Sequence, residues 1–284
     1  MNKSVTFAWK AAAALFVLIV CHSGGAQARQ AGGGATDNSE DLAKQLSNPI
    51  ADLVSVPFQF NWDNGVGPQD DMRFILNVQP VVPFKLNENW NLIGRWILPF
   101  VSQPELAPGS GTAFGTGDIV ASGFFSPSKT QGGLTWGVGP VLSLPTTTDP
   151  LLGSGKWSAG PTAVVLKQQG PWTYGGLVNH LWSVADTGDP ERSDVNQSYL
   201  QPFLAYNTRK AVTYSISSES SANWEAASGE EWTIPVNLFV SKVTRFGPFP
   251  MSLGVGGGYY VESPTGGPDW KLRFQATLIL PRGR

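Results

Sequence analysis

Charge is scarce in this chain. Asp, Glu, Lys and Arg make up 14% of its 284 residues, where an ordinary soluble domain carries about 25%. Aliphatic residues do not fill the gap, since hydrophobic residues reach only 41% and mean hydropathy is −0.09. No apolar run of about 18 residues or more occurs, which excludes a helical membrane protein. One cysteine and two histidines leave little material for thiol or metal chemistry, and no cofactor or metal site is expected. The net charge of −2 is too weak to suggest a nucleic-acid partner. What stands in place of charge is 33 Gly, 22 Pro and 11 Trp. A disordered chain would hold more charge and fewer aromatics, and a long helical bundle does not tolerate Gly and Pro at this density. The remaining class is a β-rich protein whose surface needs few charges.

The first segment points to export. Met1–Lys10 carries Lys3 and Lys10 without an acid, Ala11–Val20 is a short apolar run, and Ala26-Gln27-Ala28 is a small-x-small cleavage site. Together these are the features of a secretory signal peptide spanning 1–28. Cys21 follows Val20, where a lipoprotein would carry a small residue, so lipidation is not expected. Cleavage removes two Lys and no acid, which moves the charge from −2 to −4, and it leaves a mature chain without cysteine. The segment 29–51 then holds a Gly-rich linker, Ala31–Ser39, and one short helix. Leu42, Ala43 and Leu46 lie at helical spacing before Asn48-Pro49 ends the run. This segment is expected to act as a periplasmic foot or a plug.

From 52 to 284 the period becomes two. Trp270, Leu272, Phe274, Ala276, Leu278 and Leu280 alternate with Lys271, Arg273, Gln275 and Thr277. Phe74–Phe84, Leu134–Leu144 and Trp232–Val240 alternate in the same way, so each strand has one apolar and one mixed face. About twelve such segments follow, near 53–62, 72–85, 89–101, 117–127, 133–145, 156–167, 172–184, 196–207, 211–219, 231–243, 250–262 and 269–280. Their lengths match the roughly 9–11 residues that a tilted strand needs to cross a bilayer. The connections alternate long and short, beginning with a long one at 63–71, as they do in outer-membrane barrels. Trp90, Trp136 and Trp172 fall at one edge of this map, and Trp62, Trp157, Trp182, Trp232 and Trp270 at the other. Indole rings favour membrane interfaces. Pro80, Pro140, Pro161, Pro202 and Pro235 lie inside expected strands and imply bulges or shifted boundaries there. The expected fold is all-β: a transmembrane antiparallel up-and-down β-barrel of about 12 strands, preceded by the signal peptide and a short N-terminal helix.

Several short blocks also carry a family likeness. They are Gly117-Asp118-Ile119, Phe124-Phe125-Ser126-Pro127, Gly137-Val138-Gly139-Pro140, Leu144-Pro145-Thr146, Gly155-Lys156-Trp157-Ser158-Ala159-Gly160-Pro161-Thr162 and Asn179-His180-Leu181-Trp182-Ser183. Gln201-Pro202-Phe203 and Lys44-Gln45-Leu46-Ser47-Asn48-Pro49 add to them. Together they resemble the MetA-pathway phenol-degradation family of bacterial proteins, often described simply as transporters and sometimes mislabelled neuromedin U. The similarity spans about Leu42 to the C-terminus. It implies an outer-membrane barrel that passes aromatic or other small hydrophobic compounds, and it carries over no catalytic residue. Many outer-membrane barrels end on an aromatic residue read by the insertion machinery. This chain departs from that pattern with Leu280-Pro281-Arg282-Gly283-Arg284.

Catalysis is poorly supported by the sequence. A serine triad would have to use His180 with a serine such as Ser183 or Ser158, and His180 shares its strand face with Trp172, Tyr174 and Trp182, so no enzyme is expected. The glycines of Gly254-Val255-Gly256-Gly257-Gly258 lack the Lys-Ser/Thr of a phosphate loop and suit close packing or lumen space. Arg73, Arg95, Lys271 and Arg273 sit opposite the apolar stripe. On a lipid face each would cost about 2–4 kcal/mol at mid-membrane, so they should line the lumen. They would either favour anionic solutes or be neutralised by Asp118, Glu262 or Glu231. Tyr199 and Gln201, with Phe203 and Asn207, share a face that suits small aromatic solutes or strand packing. The expected function is a channel or facilitator passing small molecules across the bacterial outer membrane. The expected partners are outer-membrane lipid, a small-molecule solute and the barrel-insertion machinery. A structural or adhesion barrel that makes contacts through its external loops is the alternative.

Overall fold

The computed structural model describes residues 39–188, 192–247 and 249–280. The expected signal peptide, Cys21 and nearly all of the Gly-rich linker lie outside the described residues, as does the chain end beyond Leu280. Helix α1 (Ser39–Leu46) opens the described chain, with Glu40 and Asp41 in its first turn and Lys44 in its last. Acids and bases in those places complement the helix dipole. The strands are β1 (Val54–Val66), β2 (Asp71–Val78 continued as Val81–Lys85), β3 (Trp90–Gln103), β4 (Ala113–Thr116 continued as Ile119–Pro127), β5 (Leu134–Leu144) and β6 (Lys156–Gln169). They are followed by β7 (Trp172–Asp186), β8 (Asn196–Asn207), β9 (Val212–Ser217 continued as Ser220–Asn223), β10 (Trp232–Phe246), β11 (Phe249–Glu262) and β12 (Trp270–Leu280).

These twelve strands form one closed antiparallel barrel. Each pairs with its sequence neighbour, and β1 closes on β12 from Val54↔Leu280 to Asn64↔Trp270, so no edge is left for another chain to pair with. The faces follow the alternation. Lys271 and Arg273 are 7% and 9% exposed, whereas Leu272 and Phe274 beside them are 47% and 39% exposed. The apolar face is therefore the outer face, toward lipid.

The strand prolines mark local lapses in the ladder. Pro140 and Pro161 are Cα partners. Two residues without N–H cannot form a hydrogen-bonded pair, so their nitrogens face the strands on either side. Pairing lapses on both sides: between Ser122↔Val141 and Phe125↔Val138 on β4–β5, and between Ala159↔Trp182 and Thr162↔Asn179 on β6–β7. Pro202 opens a similar gap opposite Ser218–Glu219, between Leu200↔Ser220 and Phe203↔Ser217. β9 keeps its register across that gap, so alternation carries Glu219 to the inner face with Ser215 and Ser217. Of the five prolines, Pro235 lies at a true register shift.

The connections 86–89, 128–133, 170–171, 208–211 and the turn at Gly247 gather at one end of the barrel, and 67–70, 104–112, 145–155, 187–188 with 192–195, 224–231 and 263–269 at the other. The first connection is tighter than the expected 63–71. β1 runs on to Val66, and the chain reverses through Gly67 at φ 76° and Asp70 at φ 53°. Gly67 is required there for space as well, since a Cβ would lie 2.0 Å from the Glu105 carbonyl oxygen.

Helix α1 sits inside the short-turn end. Its Ala43 is buried with Ala211, Val243 and Ile279, and Leu42, Leu46 and Leu53 pack on that cluster. Gln168 donates to the Lys44 carbonyl at 2.9 Å and Ser47 to Asn207 Oδ1 at 3.0 Å. Beyond the helix, Ile50 enters a larger cluster with Val81, Ile93, Phe124, Val164, Leu166 and Leu177. The larger apolar cluster thus lies on β2–β4, β6 and β7, and the charged side chains Asp63, Arg73, Arg95, Glu219, Lys271 and Arg273 gather on β1–β3, β9 and β12.

Candidate functional site

The polar side of the lumen is built in cross-strand rows. Lys271, Asp63 and Arg73 are successive partners across β12, β1 and β2, and Arg273 lies beside Asn61 in the next row. Arg73 Nη2 donates to Asp63 Oδ2 at 2.9 Å, and the Tyr260 hydroxyl donates to Asp63 Oδ1 at 3.0 Å. Arg273 forks onto Glu219 through both terminal nitrogens at 2.7 Å and gives Nε to Asn61 Oδ1 at 2.7 Å. Bidentate charge-assisted contacts of this kind are among the strongest polar pairs and fix the guanidinium plane. Lys271 Nζ lies 3.6 Å from Glu219 Oε2 and 5.1 Å from the centre of the Tyr260 ring.

Glycine makes the room. Gly258, Gly256 and Gly254 on β11 are the Cα partners of Lys271, Arg273 and Gln275. A Cβ at Gly254 or Gly256 would lie about 2.5 Å from the Phe239 ring (2.5 Å at Gly254, 2.6 Å at Gly256). The Phe239 ring therefore lies flat along the bare wall as an aromatic shelf.

Of the seven side chains expected in the lumen, Arg73, Arg95, Lys271 and Arg273 face inward as a group. Arg95 Nη2 donates to Gln79 at 3.0 Å and forms no ion pair among the described residues. Gln201 lines the cavity described below, whereas Tyr199 packs on the apolar cluster. Asp118 stands apart. It accepts from Ser154 N at 2.7 Å and Ser154 Oγ at 2.9 Å, and so anchors the 145–155 loop at the outer rim. The expected counter-ions are also corrected. Asp118 is occupied by that loop, Glu231 accepts from the Gly229 amide at 2.8 Å, and Glu262 is exposed. Asp63 and Glu219 carry the pairing instead, because strand stagger brings them to the height of the arginines. Four cations thus stand against two carboxylates.

Between α1 and this cluster lies a cavity of about 260 Å³, lined by Phe203, Phe239, Arg95, Arg273, Glu219 and a run of Gln side chains together with the segment after α1. A second hollow of about 340 Å³ opens among the loops at the other end, beside Arg192 and Asp194. Arg192 donates to the Gly153 carbonyl at 2.7 Å and the Pro150 carbonyl at 2.6 Å, so it ties one wall of that hollow to the 145–155 loop.

Outside, Trp90, Trp136 and Trp172 are exposed at the short-turn end, and Trp157, Trp182, Trp224 and Trp270 at the loop end. Trp90 and Trp136 meet edge to face at 5.9 Å, as do Trp224 and Trp232 at 5.7 Å. These are two interfacial belts around an apolar wall.

The solved structures agree with this geometry. The COG4313 outer membrane channel from Pseudomonas putida F1 superposes with a TM-score of 0.62 at 15% identity, over 80% of this chain and 96% of that one. The NanC porin gives 0.52 at 9% identity, over 81% of this chain and all of that one. This chain is an outer-membrane β-barrel. No protein-family model matches it, and no curated protein does.

The expectation that the barrel is no enzyme needs correction. Outer membrane phospholipase A from Escherichia coli is also among the similar structures, at 13% identity over 85% of this chain and 98% of that one, with a TM-score of 0.47. Neither serine named with His180 in the sequence lies against it. Ser158 is buried at 2% exposure and Ser183 donates to Asp194 at 3.1 Å, while His180 Nδ1 lies 2.8 Å from Ser198 Oγ on the neighbouring strand. Sequence alternation alone could not show that contact, because it depends on the β7–β8 register.

Proposed function

We propose that this barrel is a passive outer-membrane channel for small organic anions with an aromatic or otherwise apolar body. The observation that carries the reading is the lumen cavity with Phe203 and Phe239 on its wall beside Arg95 and Arg273. A flat apolar solute stacks on the rings while its carboxylate meets a guanidinium, where planar fork geometry suits it. The excess of cations over carboxylates favours anions at the constriction, and the polar glutamine wall keeps the path wet.

The cleaved leader 1–28 and the segment 29–51 ahead of the barrel 52–284 belong to the same proposal, with the short-turn end and α1 on the periplasmic side. On this reading α1 and Ile50 narrow the periplasmic exit. The insertion machinery assembles the barrel, and its outer wall contacts lipid. Planar-bilayer recordings test the function. Reversing charge at Arg73 and Arg273 should move the ion selectivity toward cations, and unchanged selectivity removes the anion claim. Absence of conductance from folded protein favours a structural or adhesion barrel instead.

A further inference from the structure

We propose that Ser198, His180 and Asn196 form a serine-hydrolase site on the outer wall, cleaving acyl esters of amphiphiles at the lipid–water interface. The site is independent of the lumen. β7 and β8 place His180 opposite Ser198 and Trp182 opposite Asn196, with Val178 opposite Leu200 one row nearer the membrane centre. Val178 and Leu200 are 45% and 43% exposed toward lipid.

The hydrogen-bond directions are set from both ends of one chain. Asn196 Nδ2 donates to Glu225 Oε1 at 3.2 Å, which turns Asn196 Oδ1 toward His180 Nε2 at 3.1 Å. An amide oxygen only accepts, so Nε2 carries the imidazole proton and Nδ1 holds a free lone pair. The Trp224 indole N–H, a donor only, points at Ser198 Oγ from 2.9 Å. The serine proton is therefore left to point at His180 Nδ1, 2.8 Å away. This is a nucleophile on a base that is oriented by a third group, the arrangement that activates serine. A histidine that merely packs would need only its stack on Trp182, with ring centres 4.0 Å apart. That stack does not account for the aligned donors on either side.

The chemistry balances with water as co-reactant. Ser198 Oγ bonds to the acyl carbon as its proton passes to His180 Nδ1. The ester C–O bond then breaks, and the leaving alcohol takes that proton. Water repeats the route, giving up a proton to His180 and releasing the carboxylic acid and free serine. The Trp224 N–H bonds Ser198 Oγ before reaction and swings from it to the carbonyl oxygen as charge develops there. Asn196 is a positioning residue. The lipid-side row of Val178 and Leu200 takes the acyl chain, and exposed Glu225 and the loops face water.

The test uses the full chain folded in detergent micelles, with folding checked by heat-modifiable migration. The probes are p-nitrophenyl octanoate, dioctanoyl phosphatidylcholine and a fluorophosphonate. Wild type should hydrolyse both esters and take the label on Ser198. Ser198→Ala and His180→Ala should each lose roughly a hundredfold or more in rate, Asn196→Ala should lower kcat with little change in KM, and Ser158→Ala and Ser183→Ala should match wild type. If Ser198→Ala does not fold, peptide mapping of the wild-type label decides the question. No label on folded wild type, label on another residue, or equal rates in folded Ser198→Ala would overturn the proposal. Hydrolysis of the p-nitrophenyl ester alone would overturn the assignment to amphiphile esters.

Discussion

Replacing Glu219 by Gln removes one negative charge from the lumen with little change of shape. Glu219 holds Arg273 by two bonds of 2.7 Å and Lys271 at 3.6 Å, so the substitution raises the cation excess by one on the wall of the lumen cavity. Two unit charges 4 Å apart interact by about 1 kcal/mol in water and about 4 kcal/mol at an effective dielectric of about 20. A wet lumen lies nearer the first figure. Screening removes little of it, because the Debye length is about 8 Å at physiological salt. A passing anion gains and a passing cation loses roughly that amount, and about 1.4 kcal/mol is a tenfold change. The anion-to-cation permeability ratio should therefore rise at least about fivefold. Reversal potentials in a planar bilayer under a KCl gradient measure it, with Glu219→Asp as the control that keeps the charge. A folded Glu219→Gln barrel with the wild-type reversal potential would refute the argument that this cluster faces the permeation path.

Three further outcomes are expected. Ile50→Ala empties a position that is 3% exposed in the inner cluster, so docking of the segment after α1 should weaken by about 2–5 kcal/mol; faster amide exchange at Ala51 would show it. Gly160→Ala places a Cβ 1.8 Å from the His180 carbonyl oxygen and should cost about 1–3 kcal/mol, read as a lower temperature of heat-modified migration. Glu230 accepts from the Thr265 amide and hydroxyl and joins loops 224–231 and 263–269; the amide bond is the main reason its carboxyl sits below the ordinary glutamate range. A depressed carboxylate keeps its contribution above the ordinary pKa and loses it as pH falls through the lowered one. Thr265 amide protection should accordingly hold through the usual glutamate titration and fail only at lower pH, and Glu230→Gln should abolish that dependence.

Much of the barrel is legible from alternation alone. Leu272 and Phe274 against Lys271 and Arg273 give the two faces, and the cost of charge in lipid says which face is inside. Alternation gives a face but no height. Partners across strands depend on stagger, which closure of β1 on β12 sets globally. The pairing of Arg273 with Glu219 spans 54 positions, and Glu219 lies beside a proline gap at the end of an expected strand, so alternation does not single it out. Asp118 lies where β4 breaks between Thr116 and Ile119, and the displaced chain sends it to a loop. Phe239 sits on the mixed face of its strand, and the meaning of Gly254 and Gly256 appears once its ring is seen to cover them. His180 was visible as a lone histidine among aromatics, but Ser198 was not, because one register step would have brought a different residue opposite.

Liposome swelling with a matched pair of solutes shows whether the lumen passes aromatic anions in preference to cations. Benzoate and benzylammonium share a flat apolar body and differ in charge. Vesicles carrying the folded barrel should swell faster in benzoate than in benzylammonium, and Arg95→Glu combined with Arg273→Glu should narrow or reverse that difference. Equal rates for the two solutes, or no swelling above protein-free vesicles, would rule out an anion-selective channel.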